Sequence, residues 1–278
     1  MEAADFLKHY WQKQPCLIPR AISNFKSFIS KQDLFALTHR EEVESRLILE
    51  SGGDYPWQVK HGPFNRDELS ALPKSHWALL IQNTELHLAE AAAFLDQFNF
   101  IPNWRIDDLM ISLASKHGSV GPHLDSYDVF LFQAIGKRRW CINTSDFSDD
   151  DFIDGLDLRI IDEFKSEQEW LLEPGDMLYL PPGVAHHGIA LDDCMTFSIG
   201  FRAPSNYELV GHYLDDTIGT EHHQRYTDPA LALQEHRGEI TSEDMGKIDA
   251  LFRSTLPETE TLSEWFGKYI TRLPENCE

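Results

Sequence analysis

The 278-residue chain has 24 Lys and Arg residues against 46 Asp and Glu, a formal net charge of −22, which disfavours nucleic acids and anionic membranes as partners and favours basic ones. Its four cysteines are widely separated and include no Cys-x-x-Cys pair, which argues against a disulfide framework or zinc ribbon and predicts a reducing, cytoplasmic location. No stretch approaches the roughly 20 apolar residues of a membrane span, and residues 1–14 lack the apolar core of a signal peptide. From composition alone, solubility is the simpler explanation of the acidity.

Helices are predicted where apolar residues recur at helical spacing. The first dozen residues form an amphipathic helix that Pro15 closes. Another helix begins at Ser30, with Asp33 as a weak capping-box partner. A further helix follows a cap at Asn83 or Thr84.

Short alternating or apolar runs between Gly and Pro turns predict strands, the first two forming a hairpin around a turn at residues 51–53. The absence of a βαβ pattern favours a sandwich or barrel over a nucleotide-binding fold. The predicted strands are Arg46–Leu49, Trp57–Val59, His76–Gln82, Leu109–Ser115, Tyr127–Ile135, Arg138–Asn143, Met177–Leu180 and Met195–Phe201.

Helical patterns return near residue 205. Ser205 and Glu208 form a capping box, and two further helices fit Ser242–Ser254 and Thr259–Arg272. The sequence therefore predicts a mainly β domain over residues 1–205 and a helical appendage over 206–278. The appendage has more apolar surface than three short helices can bury, which predicts a homodimer formed largely through it.

Two histidines and an aspartate have the spacing of a metal site. His123 and Asp125 are two residues apart, so in an extended strand their side chains point the same way. Some sixty residues later, a turn at 173–176, a short strand and a Pro-Pro-Gly turn lead to His186. A His-x-Asp pair alone is more often a surface feature, but with a distant His it is the facial triad that binds non-haem Fe(II) and leaves positions open.

These residues belong to a wider set of motifs that covers nearly the whole chain. With them, the chain resembles the JmjC-type ribosomal oxygenases of the cupin-like 2-oxoglutarate oxygenase superfamily, and in particular the bacterial ribosomal-protein arginine hydroxylases. The motifs are Trp11-Gln12-Lys13, Trp57-Gln58-Val59, His61-Gly62-Pro63-Phe64, Trp104 to Ser112, Val120 to Asp125, Gly200-Phe201-Arg202-Ala203-Pro204 and Trp265-Phe266-Gly267.

The resemblance implies an α+β fold with a mainly β core: a double-stranded β-helix with N-terminal helices and a C-terminal helical appendage. It implies that His123, Asp125 and His186 are the catalytic metal ligands, with His186 rather than His187 as the second imidazole. In the arginine hydroxylases a winged-helix domain follows the dimerisation region. This sequence ends at Glu278, so the resemblance does not extend to that domain.

The cosubstrate 2-oxoglutarate has a second carboxylate for a guanidinium to grip. Strand alternation places Arg138 and Arg139 on opposite faces and leaves open which one points inward. The resemblance selects Arg138, with Thr196 as a weaker candidate for contacting the same molecule. Tyr127 shares the predicted strand face of the metal ligands, and either lines the substrate opening or simply packs.

The function that follows from the resemblance is Fe(II)- and 2-oxoglutarate-dependent hydroxylation of an arginine in a large-subunit ribosomal protein. Two alternatives remain: the same chemistry on a histidine or other residue of another basic protein, and a non-catalytic, metal-binding cupin. No direct binding of nucleic acid or membrane is expected. The aspartates within 146–151 form a solvated loop or an acidic rim suited to a basic substrate.

Overall fold

The structure is a computed structural model that describes residues 1–50, 57–156, 158–217, 225–227, 229 and 240–272. The predicted turn at 51–53 and Cys277 lie outside these residues. The chain divides into two compact units, Met1–Ala203 and Pro204–Glu278. In the part of the chain that the structure describes, no helix has the length and apolar character needed to cross a membrane.

Helices are concentrated near the amino terminus and in the second unit, with strands between them. The helices are α1 Ala3–His9, α2 Lys31–Leu37, α3 Arg66–Ser70, α4 Ala89–Leu95, α5 Asn206–Thr217, α6 Ser242–Arg253 and α7 Thr259–Ile270. The strands are β1 Cys16–Ile18, β2 Ser45–Glu50, β3 Trp57–His61, β4 Trp77–Ile81, β5 Ile106–Ala114, β6 Asp128–Ile135, β7 Arg138–Asn143, β8 Gln168–Leu172, β9 Met177–Leu180, β10 Ala185–Ala190 and β11 Cys194–Phe201.

The strands form two antiparallel sheets. The larger has the order β1-β9-β6-β11-β5-β4-β2-β3, and the smaller has the order β10-β7-β8. Strand alternation gives the large sheet two different faces. On β6 and β11, Phe130, Phe132, Phe197 and Phe201 point into an aromatic core, where the ring centroid of Phe130 lies 5.2 Å from that of Phe6 on α1. The opposite face of the same strands borders the candidate site.

The first helix is shorter than predicted. Helix α1 ends at His9, and Gln12 takes a left-handed backbone conformation with φ 55°. The Gln12 backbone N–H donates to the hydroxyl of Tyr179 at 2.7 Å, and its side-chain amide donates to Asp128 at 2.9 Å. These contacts with distant residues end the helix, although the local apolar spacing continues.

The helix after β4 begins later than predicted. Asn83 has a left-handed backbone with φ 49°, and neither Asn83 nor Thr84 caps a helix. Instead, the Thr84 hydroxyl donates to the backbone carbonyl of Leu109 at 2.6 Å, and a short 3-10 turn separates it from α4. A tertiary contact has taken the hydroxyl that the sequence pattern assigned to a cap.

Local signals predicted several elements correctly. The capping boxes at Ser30 and Ser205 are present, and β7 and β9 have the predicted bounds. Helix α3 and the strands β1, β8 and β10 were not predicted from the sequence. A signal for α3 exists, because Asn65 and Glu68 form a capping box at its start.

The second unit is organised around contacts between α5 and α7. The indole N–H of Trp265 donates to Asp216 at 2.7 Å, and the guanidinium of Arg272 donates to the same carboxylate. The ring of Tyr213 packs edge-on against Trp265 with centroids 5.3 Å apart. Helix α6 contains no buried residue, and α5 contains only Tyr213.

Candidate metal centre

Three side chains converge at the edge of the small sheet. The strand predicted for residues 123–125 is wrong, because Asp125 lies in irregular backbone and His123 makes a single β-bridge with His186 on β10. In that bridge the His123 N–H donates to the His186 carbonyl at 3.0 Å, and the His186 N–H donates back at 2.7 Å. The ligand atoms of all three residues lie within 4.8 Å of one another. This reciprocal pairing, rather than strand alternation, brings the residues together.

Both imidazoles are held in the tautomer that a metal ligand needs. The Nδ1 atom of His123 lies 3.0 Å from the Gly121 carbonyl oxygen, and that of His186 lies 3.0 Å from the Val184 carbonyl oxygen. A carbonyl oxygen can only accept, so each Nδ1 carries the proton and each Nε2 has a free lone pair. The Nε2 atom of His186 lies 3.7 Å from a carboxylate oxygen of Asp125.

Burial keeps the second imidazole neutral. His186 is 2% exposed, and burial together with the adjacent His123 lowers its pKa below the ordinary value. Neutral imidazoles and an ionised carboxylate are the protonation states that a divalent cation requires. The donor set therefore fits a metal ion such as Fe(II), which His123, Asp125 and His186 would hold beside the cavity.

His187 is not part of this group. It follows His186 on β10, so its side chain points to the other face of the strand, where its ring centroid lies 6.1 Å from that of Phe164. Burial also lowers the pKa of His187, to about 4. Among the described residues, His123, Asp125 and His186 are the one group of three that can hold a metal ion.

The triad borders a cavity of about 300 Å³ that also receives Arg138. Arg138 is 4% exposed, with its guanidinium 5.6 Å from the ring centroid of Trp140, whereas Arg139 is exposed. The structure thus settles which arginine points inward. The Nε and Nη2 atoms of Arg138 are buried and have no hydrogen-bond partner among the described residues. A buried cation without a partner is costly, so the cavity fits an anionic ligand.

Thr196 occupies a different environment. It is fully buried, its hydroxyl donates to the side-chain oxygen of Gln133 at 3.0 Å, and it does not border the cavity. Its contacts therefore give no direct support for a role in binding the cosubstrate.

An acidic group that the sequence analysis did not single out lies close to Tyr127. Tyr127 borders the cavity, and a Cβ built on Gly200 would meet both its ring, at 3.7 Å, and a carboxylate oxygen of Asp108, at 3.2 Å. Burial, with Glu85 and Asp107 adding repulsion, raises the pKa of Asp108 to about 7. The signal in the sequence was an acidic pair, Asp107-Asp108, inside an otherwise apolar strand.

Two further polar residues border the cavity. Arg46 on β2 and Gln82 just after β4 each have a buried polar atom with no partner among the described residues, namely Nε of Arg46 and Oε1 of Gln82. No role was predicted for these two residues from the sequence. Their signal was weak, because a polar residue beside an apolar strand usually faces solvent.

The fold and site define a class of protein. A family model described as the JmjC domain matches residues 93–209 of this chain. The chain is 37% identical to the protein in the X-ray structure of E. coli ycfD, with a TM-score of 0.88, and the match covers 98% of this chain and 72% of that one. A second structure of that protein, titled as a ribosomal oxygenase in complex with cobalt and 2-oxoglutarate, is 37% identical with a TM-score of 0.84, and the match covers 98% of this chain and 71% of that one. The predicted double-stranded β-helix of the JmjC and cupin type is confirmed.

Curated relatives identify the family more closely. The "Ribosomal protein uL16 3-hydroxylase" of Escherichia coli K12 is 38% identical over 269 residues, or 96% of this chain and 71% of that protein. The "Probable ribosomal oxygenase" of Haemophilus influenzae is 33% identical, and the match covers 95% of this chain and 67% of that one. The chain therefore belongs to the JmjC-domain ribosomal oxygenase family.

Proposed function

We propose that this protein is an Fe(II)- and 2-oxoglutarate-dependent hydroxylase that modifies an arginine of a large-subunit ribosomal protein. One observation carries the proposal. A single cavity is bordered by three groups that can hold a metal ion and by a buried arginine with two unpartnered nitrogens. A metal ion would occupy the three ligand groups, and a dicarboxylate bound to that metal would pair with the buried arginine. The family relationship supports the same reading, since relatives are named as a uL16 hydroxylase and a ribosomal oxygenase.

In this proposal each residue has a defined task. His123, Asp125 and His186 hold the metal, and Arg138 grips the distal carboxylate of 2-oxoglutarate with charge-assisted hydrogen bonds. Iron, dioxygen and 2-oxoglutarate supply the oxidation, in which the substrate C–H becomes C–OH while 2-oxoglutarate becomes succinate and carbon dioxide. Trp140 covers the face of the Arg138 guanidinium and helps to exclude water from it. Thr196 stays a candidate only as a buried support of the cavity wall.

The choice of arginine rests on Asp108. It is a buried carboxylate whose pKa burial raises, and the charged groups acting on it, Glu85, Asp107 and Glu44, are all acidic. Its hydrogen bond from the backbone N–H of Asn83 measures 3.3 Å and supplies no charge. A cationic side chain entering beside Tyr127 would neutralise Asp108, and a guanidinium can donate to it at two points. A neutral target side chain leaves this carboxylate without a counter-charge.

The protein surface near the cavity also favours a basic partner. Arg159 borders the cavity, and its guanidinium donates to Asp149 of the acidic loop at 2.9 Å. The aspartates of that loop are exposed, and the whole chain has a net charge of −22. Such a field attracts a cationic ribosomal protein and repels nucleic acid, so direct nucleic-acid binding is not part of the proposal.

We further propose that residues 1–205 are the catalytic domain and that residues 206–278 form a homodimerisation region. Two helices of the second unit leave apolar stripes exposed at spacings of three and four residues. The stripes are Tyr207, Val210 and Leu214 on α5, and Met245, Ile248 and Phe252 on α6. Exposed apolar rows of this kind are typical of surfaces that a second chain covers.

A cytoplasmic location completes the proposal. Cys16, Cys141 and Cys194 are buried free thiols, and no disulfide occurs among the described residues. This fits a reducing compartment, which is also where ribosomal proteins are synthesised and assembled.

The function is tested by incubating the protein with Fe(II), ascorbate, 2-oxoglutarate and overlapping peptides of large-subunit ribosomal proteins, beginning with uL16. Tandem mass spectrometry is then used to locate any added oxygen atom. The expected result is one additional oxygen on an arginine, with succinate released in step with peptide hydroxylation. An added oxygen on histidine would overturn the arginine assignment, and peptide-independent metal binding without succinate would indicate a binding protein.

The dimer is tested by light scattering on the full chain. Phe252→Glu and Ile248→Glu place charges in the exposed stripe of α6 and should shift the mass from dimer to monomer. Ala250→Glu places the same charge at an exposed position on the other side of the same helix, outside the stripe, and should leave the mass unchanged. A monomeric wild-type chain would contradict the proposal.

A further inference from the structure

Arg46 and Gln82 both border one cavity, and each has an unsatisfied hydrogen-bonding atom, the two atoms being of opposite kind. The Nε–H of Arg46 can only donate, and the Oε1 of Gln82 can only accept. Both atoms are buried and have no partner among the described residues, so they are not bonded to each other either. Burying such groups unpaired costs free energy, so a ligand that completes both hydrogen bonds would be favoured here.

The strand register places the two side chains next to each other. Arg46 on β2 is opposite Leu80 on β4, and Gln82 is two residues further along the chain. They are therefore diagonal neighbours on one sheet face, roughly 7–8 Å apart at their Cα atoms. The third strand of this wall is β5, where Ser112 is opposite Leu80 and Met110 also borders the cavity.

The target side chain itself is a poor ligand for this pair. The proposed target is a cation, and Arg46 would repel it, whereas Asp108, which lies by Tyr127, would attract it. The distal carboxylate of 2-oxoglutarate already has Arg138, which is on β7 in the other sheet. A neutral ligand that offers one acceptor and one donor is the remaining match.

A peptide group has that chemistry, because its carbonyl oxygen accepts and its N–H donates. Leu158 borders the cavity and also a neighbouring groove that runs along β3, past Trp57 and Lys60. Strand β3 is the edge of the large sheet, and β2, with Arg46, is the next strand inward. An extended chain leading from the cavity to this groove would cross β2, the strand that carries Arg46, beside Gln82 just after the neighbouring strand β4.

We propose that Arg46 and Gln82 bind the substrate main chain, with Arg46 Nε–H donating to a peptide carbonyl and Gln82 Oε1 accepting a peptide N–H adjacent to the target residue. This inference rests on the proposed function and extends it to substrate positioning. The pair recognises backbone, so it fixes where the target side chain enters while tolerating variation in the neighbouring side chains. It also disfavours Lys or Arg next to the target, because Arg46 repels a second cation there.

The test measures binding of the hydroxylatable peptide to the Co(II) and 2-oxoglutarate complex without oxygen, in wild type, Arg46→Met and Gln82→Met. Each loss of one hydrogen bond should weaken peptide binding roughly tenfold and leave 2-oxoglutarate affinity unchanged. A peptide series in which single backbone N–H groups are replaced by ester oxygens provides the second arm. One ester position should weaken binding to wild type roughly tenfold and have no effect in Gln82→Met. Arg139→Met, an exposed change on β7, is the matched control.

The outcomes separate the possible errors. Unchanged peptide affinity in both variants, with a lower melting temperature, would show that the pair only holds water or supports the sheet. A raised requirement for 2-oxoglutarate in Arg46→Met would place the cosubstrate there and overturn the inference. If no ribosomal peptide gains oxygen, the proposed function fails and takes the inference with it. If hydroxylation occurs but no ester position couples to Gln82, only the inference fails.

Discussion

Replacing Arg138 should separate cosubstrate binding from folding stability. The substitution Arg138→Met keeps the length and apolar contacts of the side chain and removes its charge. In the free protein, Arg138 is 4% exposed, and its Nε and Nη2 atoms have no partner among the described residues. Removing an unpaired buried cation relieves a desolvation cost, so the variant without cosubstrate should be as stable as wild type or more stable.

The effect on cosubstrate binding should have the opposite sign. A hydrogen bond to a charged group contributes about 1.5–3 kcal/mol, so losing the grip on one carboxylate should weaken 2-oxoglutarate binding by about 10-fold to about 150-fold. The loss of 2-oxoglutarate affinity should be larger if both unpartnered nitrogens of Arg138 donate to the carboxylate. Stability gained from ligand binding depends on the ratio of ligand concentration to Kd, so the variant should also lose most of the stabilisation by cosubstrate.

Thermal unfolding with and without Co(II) and 2-oxoglutarate measures both effects, at roughly 2–4 °C per kcal/mol for a chain of this size class. Arg139→Met is the matched control, because Arg139 is exposed and adjacent on the same strand. It should retain the full shift on adding 2-oxoglutarate. An Arg138→Met protein that melts several degrees lower without ligand and keeps its 2-oxoglutarate affinity would refute the reasoning and make Arg138 a structural residue.

Three other predictions test separate parts of the structure. Asp125→Ala should abolish Co(II) binding by titration and turnover while the far-UV spectrum is kept, and His187→Ala should retain binding because its ring points away from the triad. Gly118→Ala should lower the free energy of unfolding, measured by urea denaturation, by about 1–3 kcal/mol, because a Cβ at this position would lie 2.0 Å from a backbone carbonyl oxygen. Gly246→Ala should raise the free energy of unfolding by up to about 1 kcal/mol, because this helical position has open space around it. Burial raises the pKa of Asp108 to about 7, so ionising this carboxyl costs the folded state free energy that the unfolded state does not lose. The unfolding free energy of wild type should therefore fall relative to that of Asp108→Asn as pH rises from about 4 to about 8. The affinity of wild type for a cationic peptide should increase over the upper part of that range, where Asp108 ionises. Parallel pH profiles for the two proteins would show that Asp108 is not buried as described.

Local sequence signals were reliable where neighbouring residues alone decide the structure. The capping boxes at Ser30 and Ser205 form because a side chain and a backbone N–H three residues away need no distant partner. The strand Arg138–Asn143 has its predicted bounds because a basic start and an apolar run lie between two turns. Motif spacing and family resemblance selected the triad residues without any knowledge of their geometry.

Contacts between distant residues decided the rest. Thr84 does not serve as the predicted helix cap because its hydroxyl donates a hydrogen bond to the Leu109 carbonyl. The first helix ends early because Gln12 is hydrogen-bonded to Tyr179 and Asp128. His123 meets His186 through a reciprocal backbone bridge that spacing cannot specify.

The facing of Arg138, which alternation left open, depends on how the two sheets close around the cavity. The unpaired atoms of Arg46 and Gln82 likewise become visible only when every neighbour is known, because an unsatisfied group is defined by all of its surroundings and not by its own sequence. By itself the sequence determined which residue types were available for the chemistry, since motif spacing is a local property. Tertiary structure decided which of them face one cavity, since that depends on packing between strands far apart in the chain.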